Sequence, residues 1–224
     1  LLKSVGDDSK IHSNFKQTET RTGRISSTEP NMQNIPVRTE LGRNMRKFFV
    51  AKNGYILLDA DYSQIELRIL ASVCDDENMK NAFLSGMDIH TATASQVFNM
   101  PPEMVTSSMR RAAKAVNFGI IYGIGAFSLS KDIDVSVAEA DRYIKSYLAN
   151  YPNVAKYMDK TVKDAMGNGY VSTMFGRRRY IPELSASNKM LQAFGKRAAM
   201  NAPIQGSAAD IIKIVMINIH KRLT

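Results

Sequence analysis

The chain has 224 residues, of which 44% are hydrophobic, and it carries a formal net charge of +9 at pH 7. This size allows one large domain or two small ones with a buried core, and because no apolar run reaches 18 residues we expect no membrane-spanning helix. A single cysteine excludes an internal disulfide and fits a cytoplasmic protein, and three distant histidines without a Cys-x-x-Cys motif argue against a zinc site. The positive charge favours a nucleic acid partner, although a generic basic protein would share it.

The N-terminal quarter of the sequence predicts irregular structure followed by a hairpin. Residues 1–40 are rich in Ser, Thr, Asn and Gln without periodicity, which predicts loops and short extended pieces. Two prolines flank the sequence NMQNI and exclude a helix there. The sequence KFFVAKNGYILLDA, residues 47–60, predicts a β-hairpin whose strands KFFVA and YILLDA meet at an Asn53-Gly54 turn.

The middle of the chain is predicted to be helical. A helical spacing of apolar residues begins at Ser63, and residues 78–151 are mostly of this type. Thr106 opens a cap region before a long helix. Ser136 and Glu139 have the spacing of a capping box at the start of a later helix.

The last third of the chain predicts a further helix closed by Gly167 and Gly169, then a short hairpin or loop in VSTMFGRRRYIP. Two more helices, SNKMLQAFGKRAAMNAP and AADIIKIVMINIHKRL, are expected to be separated at Pro203. Because strands come first and helices follow, the predicted fold class is α+β. The sequence stops within a helical pattern, so we expect a segment of a longer protein.

The sequence LLDADYSQIELRIL, residues 57–70, places a carboxylate at the end of an apolar run. Asp61 has two interpretations: a metal ligand at the tip of a strand, or the N-cap of the helix that starts in SQIELR. Asp59 would face the same side of a strand as Asp61, and we expect it to point into a hydrogen-bonded rim. Glu66, taken alone, is interpreted as a solvated helix acid.

The sequence RRAAKAVNFGIIYG, residues 110–123, predicts a helix with a basic and aromatic face. At about 100° per residue, Arg110, Lys114 and Phe118 fall within an arc of about 80°, and Tyr122 lies about 40° further round. Cations near a helix start oppose the macrodipole, so a bound polyanion such as a triphosphate would give a reason for them. The alternative is an ordinary amphipathic helix with a basic edge.

Taken together, four stretches in chain order resemble family A DNA polymerases of the bacterial DNA polymerase I type. The stretches are TGRISSTEPNMQNIP at 22–36, DYSQIELR at 61–68, RRAAKAVNFGIIYG at 110–123 and RAAMNAPIQGSAADIIK at 197–213. The resemblance implies a template-directed DNA polymerase that transfers a deoxynucleotide from dNTP to a primer 3′-hydroxyl. It also implies a palm with an antiparallel sheet over residues 1–77, helical fingers over 78–188 and a return to the palm over 189–224.

The resemblance assigns roles to individual residues. In the family, an aspartate binds two catalytic Mg²⁺ ions, and Asp61 takes that place together with the backbone carbonyl of Tyr62. Lys114 matches the general acid that protonates pyrophosphate. The nucleotide-binding positions of the family match Gln64, Glu66, His90, Arg110, Lys114, Phe118 and Tyr122. Among these, Glu66 matches the gate that excludes a 2′-hydroxyl, whereas His90 alone would be interpreted as a surface or capping histidine.

Two groups of polar residues match primer–template DNA contacts of the family. They are Arg24, Asn31, Gln33 and Asn34 in the first group, and Arg197, Asn201 and Gln205 in the second. Such side chains suit minor-groove acceptors, which are similar in every base pair, although loop solvation and helix capping would also explain them. The resemblance implies a monomer that binds primer–template DNA and dNTP in the cytoplasm, in association with the nucleoid.

Two rival functions stay open. A single-subunit RNA polymerase would share the palm aspartate and the basic helix, although Glu66 and Phe118 favour a DNA polymerase. A non-catalytic DNA-binding relative is the second rival, although the presence of Asp61, Arg110 and Lys114 argues against it. The chain contains no His-Asp-Glu motif, which carries the partner carboxylate in the family, so we expect these residues alone to bind metal and extend primers weakly.

Overall fold

The computed structural model describes residues 2–37 and 39–223, and the chain forms two compact units, Leu1–Ser63 and Gln64–Thr224. Within the described ranges, no helix is both long enough and apolar enough to cross a membrane. Helices dominate, and the sheets found in these ranges are small and antiparallel, which agrees with the predicted α+β class.

The first unit contains little regular structure, as its polar sequence predicts. Its elements are strands β1 (Asn14–Lys16) and β2 (Ser26–Thr28), helix α1 (Glu40–Met45) and 3₁₀ turns at Leu2–Ser4 and Arg46–Phe48. The two strands pair antiparallel with Phe15 opposite Ser27. Helix α1 begins at Thr39, whose hydroxyl accepts the Gly42 N–H at 3.1 Å. A helix cap and one short ladder are therefore among the interactions that order this unit.

The predicted hairpin over residues 47–60 is wrong. The turn forms, with Gly54 at φ +82°, but the range contains no strand. A two-stranded hairpin is marginal in water unless another layer covers its apolar face, and here Ile56 is 88% exposed. Asp59 and Asp61 therefore do not share a strand face, and both are exposed.

The second unit is built from helices and one small hairpin. Its helices in chain order are α2 (Ile65–Cys74), α3 (Glu77–Leu84), α4 (Ile89–Phe98), α5 (Ser107–Ile121), α6 (Ala126–Ile133), α7 (Val137–Asn150), α8 (Pro152–Asn168) and α9 (Lys189–Leu223). Turns of 3₁₀ helix lie at Pro102–Met104 and Pro182–Ser185. Strands β3 (Tyr170–Ser172) and β4 (Arg178–Tyr180) pair antiparallel, so VSTMFGRRRYIP forms a hairpin rather than a loop.

Helix α2 lies in the main core of this unit. Its Leu67 and Leu70 are fully buried, and they belong to one apolar cluster with Val116 of α5, Tyr147 of α7 and Val154 of α8. Burial of each such aliphatic side chain contributes roughly 1.5–3 kcal/mol. This shared core fixes α2 against α5, and both helices carry predicted site residues.

The helix N-caps predicted from the sequence are confirmed, and one of the two glycines predicted to close α8 does so. The Thr106 hydroxyl accepts a backbone N–H of the first turn of α5 at 3.3 Å, and Ser136 and Glu139 form a capping box at the start of α7. Gly169 ends α8 in the left-handed region at φ +76°, whereas Gly167 lies inside that helix. Side-chain oxygens at these starts satisfy N–H groups that have no partner within the helix.

The two helices predicted for the end of the chain are one helix, α9, so the predicted break at Pro203 is wrong. Proline lacks the N–H that would bond one turn back, which usually breaks a helix. Here the surrounding turn is held by packing: Ala199 and Ile204 are fully buried, and the Ser207 hydroxyl donates to the Pro203 carbonyl at 2.6 Å. The Met174 N–H of the β3–β4 hairpin donates to the same hydroxyl at 2.9 Å. Tertiary contacts therefore offset the local cost of the proline.

Three glycines near the end of α5, Gly119, Gly123 and Gly125, predict close approach or a bend. A Cβ on Gly119 would lie 2.4 Å from Ile124 Cγ2, and a Cβ on Gly123 would lie 2.4 Å from Met200 Cε of α9. Gly123 also has φ +64°, where other residues are strained, whereas Gly125 meets no atom within 4 Å. Close approach of a neighbouring side chain is therefore confirmed at Gly119 and Gly123 but not at Gly125.

We expect Gly123→Ala to lower the free energy of unfolding by about 1–2 kcal/mol, because alanine is strained in the left-handed region. Gly167→Ala is the matched control, since that glycine lies inside α8 with nothing within 4 Å and should stabilise the helix by up to about 1 kcal/mol. Urea unfolding followed by circular dichroism measures both changes. Equal effects of the same sign would contradict this account.

Candidate functional site

Helix α5 carries the predicted basic and aromatic face. Arg110 and Lys114 are exposed on it, and Phe118 follows at helical spacing and is half-buried. The Lys114 Nζ lies 6.0 Å from the centroid of the Phe118 ring. That ring lies 5.8 Å from the ring of His90 on α4. The structure therefore brings four of the predicted nucleotide-binding residues onto two adjacent helices.

The carboxylate of Asp88, which the sequence analysis missed, pairs with Arg110. Arg110 Nε donates to Asp88 Oδ2 at 2.8 Å and Nη2 donates to Oδ1 at 2.9 Å, a two-bond geometry that fixes the guanidinium. The same carboxylate caps α4 by accepting the Thr91 N–H at 2.9 Å. Gln64 Nε2 also donates to it, at 3.4 Å. An aspartate directly before the helical IHTATA run was the available sequence signal for this cap.

The environment of Asp88 favours its charged form. Partial burial opposes ionisation, but hydrogen bonds from Arg110 and Thr91 outweigh it and hold the pKa of the Asp88 carboxyl well below its ordinary value. The folded pKa is therefore lower than the unfolded one. The resulting stabilisation is complete above the unfolded pKa and is lost as the pH falls through the folded pKa.

We expect Asp88→Asn to lower the free energy of unfolding by about 1 kcal/mol at neutral pH, because asparagine keeps the helix cap but loses the charge beside Arg110. The difference between the two proteins should narrow as the pH is lowered from about 7 to about 2. Urea unfolding across that range measures it, with Asp159→Asn on the exposed face of α8 as the control. A difference that is constant with pH would rule out a contribution from the ion pair.

Glu66 lies in the first turn of α2 and is 7% exposed, so its interpretation as a solvated helix acid is wrong. Its Oε2 accepts a hydrogen bond from the Tyr122 hydroxyl at 3.2 Å, across 56 residues of sequence. Tyr122 is the residue that ends α5. The N-cap position of α2 is Gln64 rather than Asp61, which excludes the helix-cap interpretation of Asp61. The start of α2 and the end of α5 thus meet through two predicted site residues.

His90 is buried in the first turn of α4, with 2% of its surface exposed, so it is not a surface histidine. Its Nδ1 lies 3.1 Å from Nδ2 of Asn117 on α5. Burial lowers the pKa of His90 to about 4; Asp88 acts in the opposite direction, and Arg110 and Lys114 lower the pKa further. The imidazole is therefore neutral at physiological pH.

The predicted DNA-binding residues of the second unit lie on α9. Arg197, Asn201 and Gln205 follow one another at intervals of four and so share one helix face. Arg197 is exposed, and the other two are half-buried. Among the described residues, Asn201 Nδ2 is a buried amide nitrogen whose two N–H donors have no hydrogen-bond partner.

The other predicted site residues belong to the first unit and lie outside its helices and strands. The four predicted DNA contacts there, all exposed, are Arg24, Asn31, Gln33 and Asn34. Asn31 Oδ1 accepts the Gln33 N–H at 3.0 Å, which shapes that loop. Asp61 and Tyr62 are also exposed, and the carboxylate of Asp61 is the hard oxygen ligand that Mg²⁺ prefers. Within the described ranges, no three His, Cys, Asp or Glu side chains cluster as a metal site.

Known proteins resemble the chain over its whole length. The sequence model of the family described as DNA polymerase family A matches residues 1–224. Over the whole chain, DNA polymerase I of Bacillus subtilis is 51% identical and DNA polymerase I of Caldicellulosiruptor bescii is 49% identical, and the chain spans 26% of each. The POL domain of Pol1 from M. smegmatis, solved in complex with DNA primer-template and dNTP, superposes with a TM-score of 0.92 at 46% identity, covering 99% of this chain and 39% of that one. The chain therefore belongs to DNA polymerase family A.

Proposed function

We propose that the chain supplies the palm and fingers of a template-directed DNA polymerase, which transfers a deoxynucleotide from dNTP to a primer 3′-hydroxyl and releases pyrophosphate. Residues 1–77 would form the palm with a thumb-proximal segment, 78–188 the fingers and 189–224 the return to the palm. The observation that carries the proposal is the grouping on α4 and α5 of two exposed cations, a buried neutral histidine and a half-buried phenylalanine.

The cations on α5 suit the triphosphate of a nucleotide. Arg110 uses Nε and Nη2 to hold Asp88, and the guanidinium has further N–H donors for phosphate oxygens. Lys114 adds a second positive charge one turn further along the helix. Phe118 offers an aromatic face for the sugar of the same nucleotide.

The pair Glu66 and Tyr122 suits selection of the sugar. The carboxylate is buried and bonded to the tyrosine hydroxyl at 3.2 Å, so its position is fixed. If the 2′-hydroxyl of a ribonucleotide contacted this pair, the hydroxyl would lose its hydrogen bonds to water. Because the two side chains already bond each other, it would not regain them, so the contact is unfavourable. This arrangement favours a DNA polymerase over the RNA polymerase alternative.

Asp61 and the Tyr62 carbonyl are the proposed ligands for Mg²⁺, with two ions in the complete enzyme. Bound Mg²⁺ would polarise phosphate oxygens and favour the charged form of the attacking 3′-hydroxyl. The chain's own contribution is an exposed carboxylate with no capping role in α2.

The proposed partners are primer–template DNA and dNTP, and the enzyme would act as a monomer in the cytoplasm at the nucleoid. Arg197, Asn201 and Gln205 would contact the minor groove from one face of α9. Polar loop residues of the first unit, with Arg24 among them, are also proposed to contact DNA. Binding through such cations should weaken steeply as the salt concentration rises.

A chimera tests the proposal: residues 1–224 replace the matching segment of Bacillus subtilis DNA polymerase I, to which they are 51% identical. We expect the chimera to extend a primer with dNTP and Mg²⁺, and to discriminate against rNTP. A folded chimera that binds primer–template but incorporates nothing would favour the non-catalytic alternative. Efficient use of rNTP would favour the RNA polymerase alternative.

A further inference from the structure

A buried polar cluster lies between α4 and α5, behind the proposed triphosphate site. It consists of His90, Thr93 and Asn117, which are 2%, 0% and 0% exposed. Asn117 Nδ2 lies 3.1 Å from His90 Nδ1 and donates to Thr93 Oγ1 at 3.0 Å, and Thr93 Oγ1 also lies 3.2 Å from Asn117 Oδ1. Burying three polar side chains is unfavourable unless their hydrogen bonds are made, so this cluster has a fixed arrangement.

The donors and acceptors of the cluster decide where the histidine proton lies. An amide NH₂ group only donates, so His90 Nδ1 must accept the bond from Asn117. A neutral imidazole has one N–H, and it must therefore be on Nε2. The other N–H of the same amide donates to Thr93 Oγ1 at 3.0 Å, so both donors of the Asn117 amide have partners within the cluster.

We propose that Asn117 is a positioning residue that holds His90 in the Nε2–H form, so that this nitrogen donates a hydrogen bond to an oxygen of the bound triphosphate. The proposal rests on the proposed function of the α4–α5 site. With the opposite proton arrangement, a nitrogen lone pair would face a phosphate oxygen, and the two would repel. Asn117 thereby converts a buried, neutral ring into a fixed donor.

The charge state of the ring makes this control necessary. Burial lowers the pKa of His90 to about 4, so at neutral pH it cannot present two N–H groups. The charged groups that act on the ring are Asp88 at the start of α4, and Arg110 and Lys114 on α5. Burial and the two cations outweigh the effect of Asp88 on the pKa of His90, so the ring is neutral and its hydrogen bond to Asn117 selects the proton position.

The direct test is nitrogen NMR of the His90 ring in the intact chain, with the signal assigned by His90→Gln. We expect wild-type spectra to show a protonated Nε2 and an unprotonated Nδ1, and Asn117→Leu to give a mixture of the two neutral forms. Asn150→Leu is the matched control, because that amide donates to the Ser146 carbonyl on α7 and should leave the His90 signals unchanged. If Asn117→Leu does not fold, Thr93→Val removes the hydrogen-bond partner of the Asn117 amide at nearly constant volume.

Asn117→Asp should reverse the arrangement. A carboxylate only accepts, so it requires a proton on Nδ1 and favours the imidazolium, which raises the pKa of His90. Binding of dATP with Mg²⁺ should then be weak at neutral pH and recover as the pH falls through the raised pKa, because the imidazolium has both N–H groups. Wild type and Asn117→Leu should lack this recovery.

Titration with dATP and Mg²⁺ separates the two proposals. We expect Asn117→Leu to weaken binding about tenfold, as loss of a residue that orients a histidine typically does. Unchanged ring signals in Asn117→Leu, together with unchanged dATP affinity, would overturn the positioning role and leave the proposed function standing. A chimera with the wild-type segment that binds no triphosphate would overturn the proposed function instead, and the triphosphate donor role with it.

Discussion

Asp61→Asn is expected to reduce nucleotide incorporation by the chimera about 10³-fold, while primer–template binding changes by less than about threefold. Asparagine keeps the size of the side chain and one oxygen but loses the charge that Mg²⁺ requires from its ligands. A metal contributes several kcal/mol to stabilising transition-state charge, and each 1.36 kcal/mol corresponds to a factor of ten in rate. Single-turnover primer extension at saturating Mg²⁺ measures the loss.

Asp59→Asn is the matched control for this change. Both aspartates are exposed and lie in the same irregular segment, so the two substitutions should have equal, small effects on stability. The structure also removes the alternative explanation that Asp61 caps α2, because the N-cap position is Gln64. Similar activities of the two variants would refute the assignment of Asp61 as a metal ligand.

The arrangement of α5 was predictable because it depends on local rules. The spacing of Arg110, Lys114 and Phe118 fixes a shared face as soon as the segment is helical, and Thr106 marks where that helix starts. The capping box of Ser136 and Glu139 was predictable for the same reason. Side chains that satisfy the first backbone N–H groups act within four residues, so the sequence pattern contains the whole interaction.

The failures involve packing between segments that are distant in sequence. Pro203 lies inside α9 because buried neighbours and the β3–β4 hairpin hold the turn, which no local rule contains. The strands expected over residues 47–60 do not form because they lack such tertiary packing, as the exposed side chain of Ile56 shows. Local preference predicted a helix break in one case and strands in the other, and tertiary context decided both.

In the candidate site, too, individual residues were predictable from the sequence, whereas contacts between distant residues were not. The resemblance indicated Glu66 and Tyr122 separately, but their mutual hydrogen bond joins residues 56 positions apart and requires the fold. The sequence around Asp88 contains a signal for a helix cap only. The hydrogen bonds of Asp88 to Arg110 depend on the packing of α4 against α5. Asn117 gave no sequence signal, because a buried amide in a helix is recognised only from its partners.

The pairing of Arg110 with Asp88 affects how a triphosphate would bind. Two donors of the guanidinium already bond a carboxylate, so the net charge that this pair offers is smaller than that of a free arginine. Lys114 lies one turn away, and no ion pair within the described part of the chain involves it. Its charge is therefore the larger contribution to attracting phosphate, and its loss should have the larger effect.

Lys114→Arg is expected to lower the rate of incorporation about 10²-fold or more while nucleotide affinity changes by only a few-fold. Arginine keeps the positive charge on the exposed face of α5 but does not release its proton in proteins, so it cannot protonate the departing pyrophosphate. Lys114→Gln should lose both rate and affinity, because charge and proton are removed together. Lys163→Gln, which removes an exposed cation on α8, is the control and should change neither strongly. Rapid-quench kinetics in the chimera separate the two quantities. If Lys114→Arg retains the wild-type rate, the lysine acts through its charge alone and another group must protonate pyrophosphate.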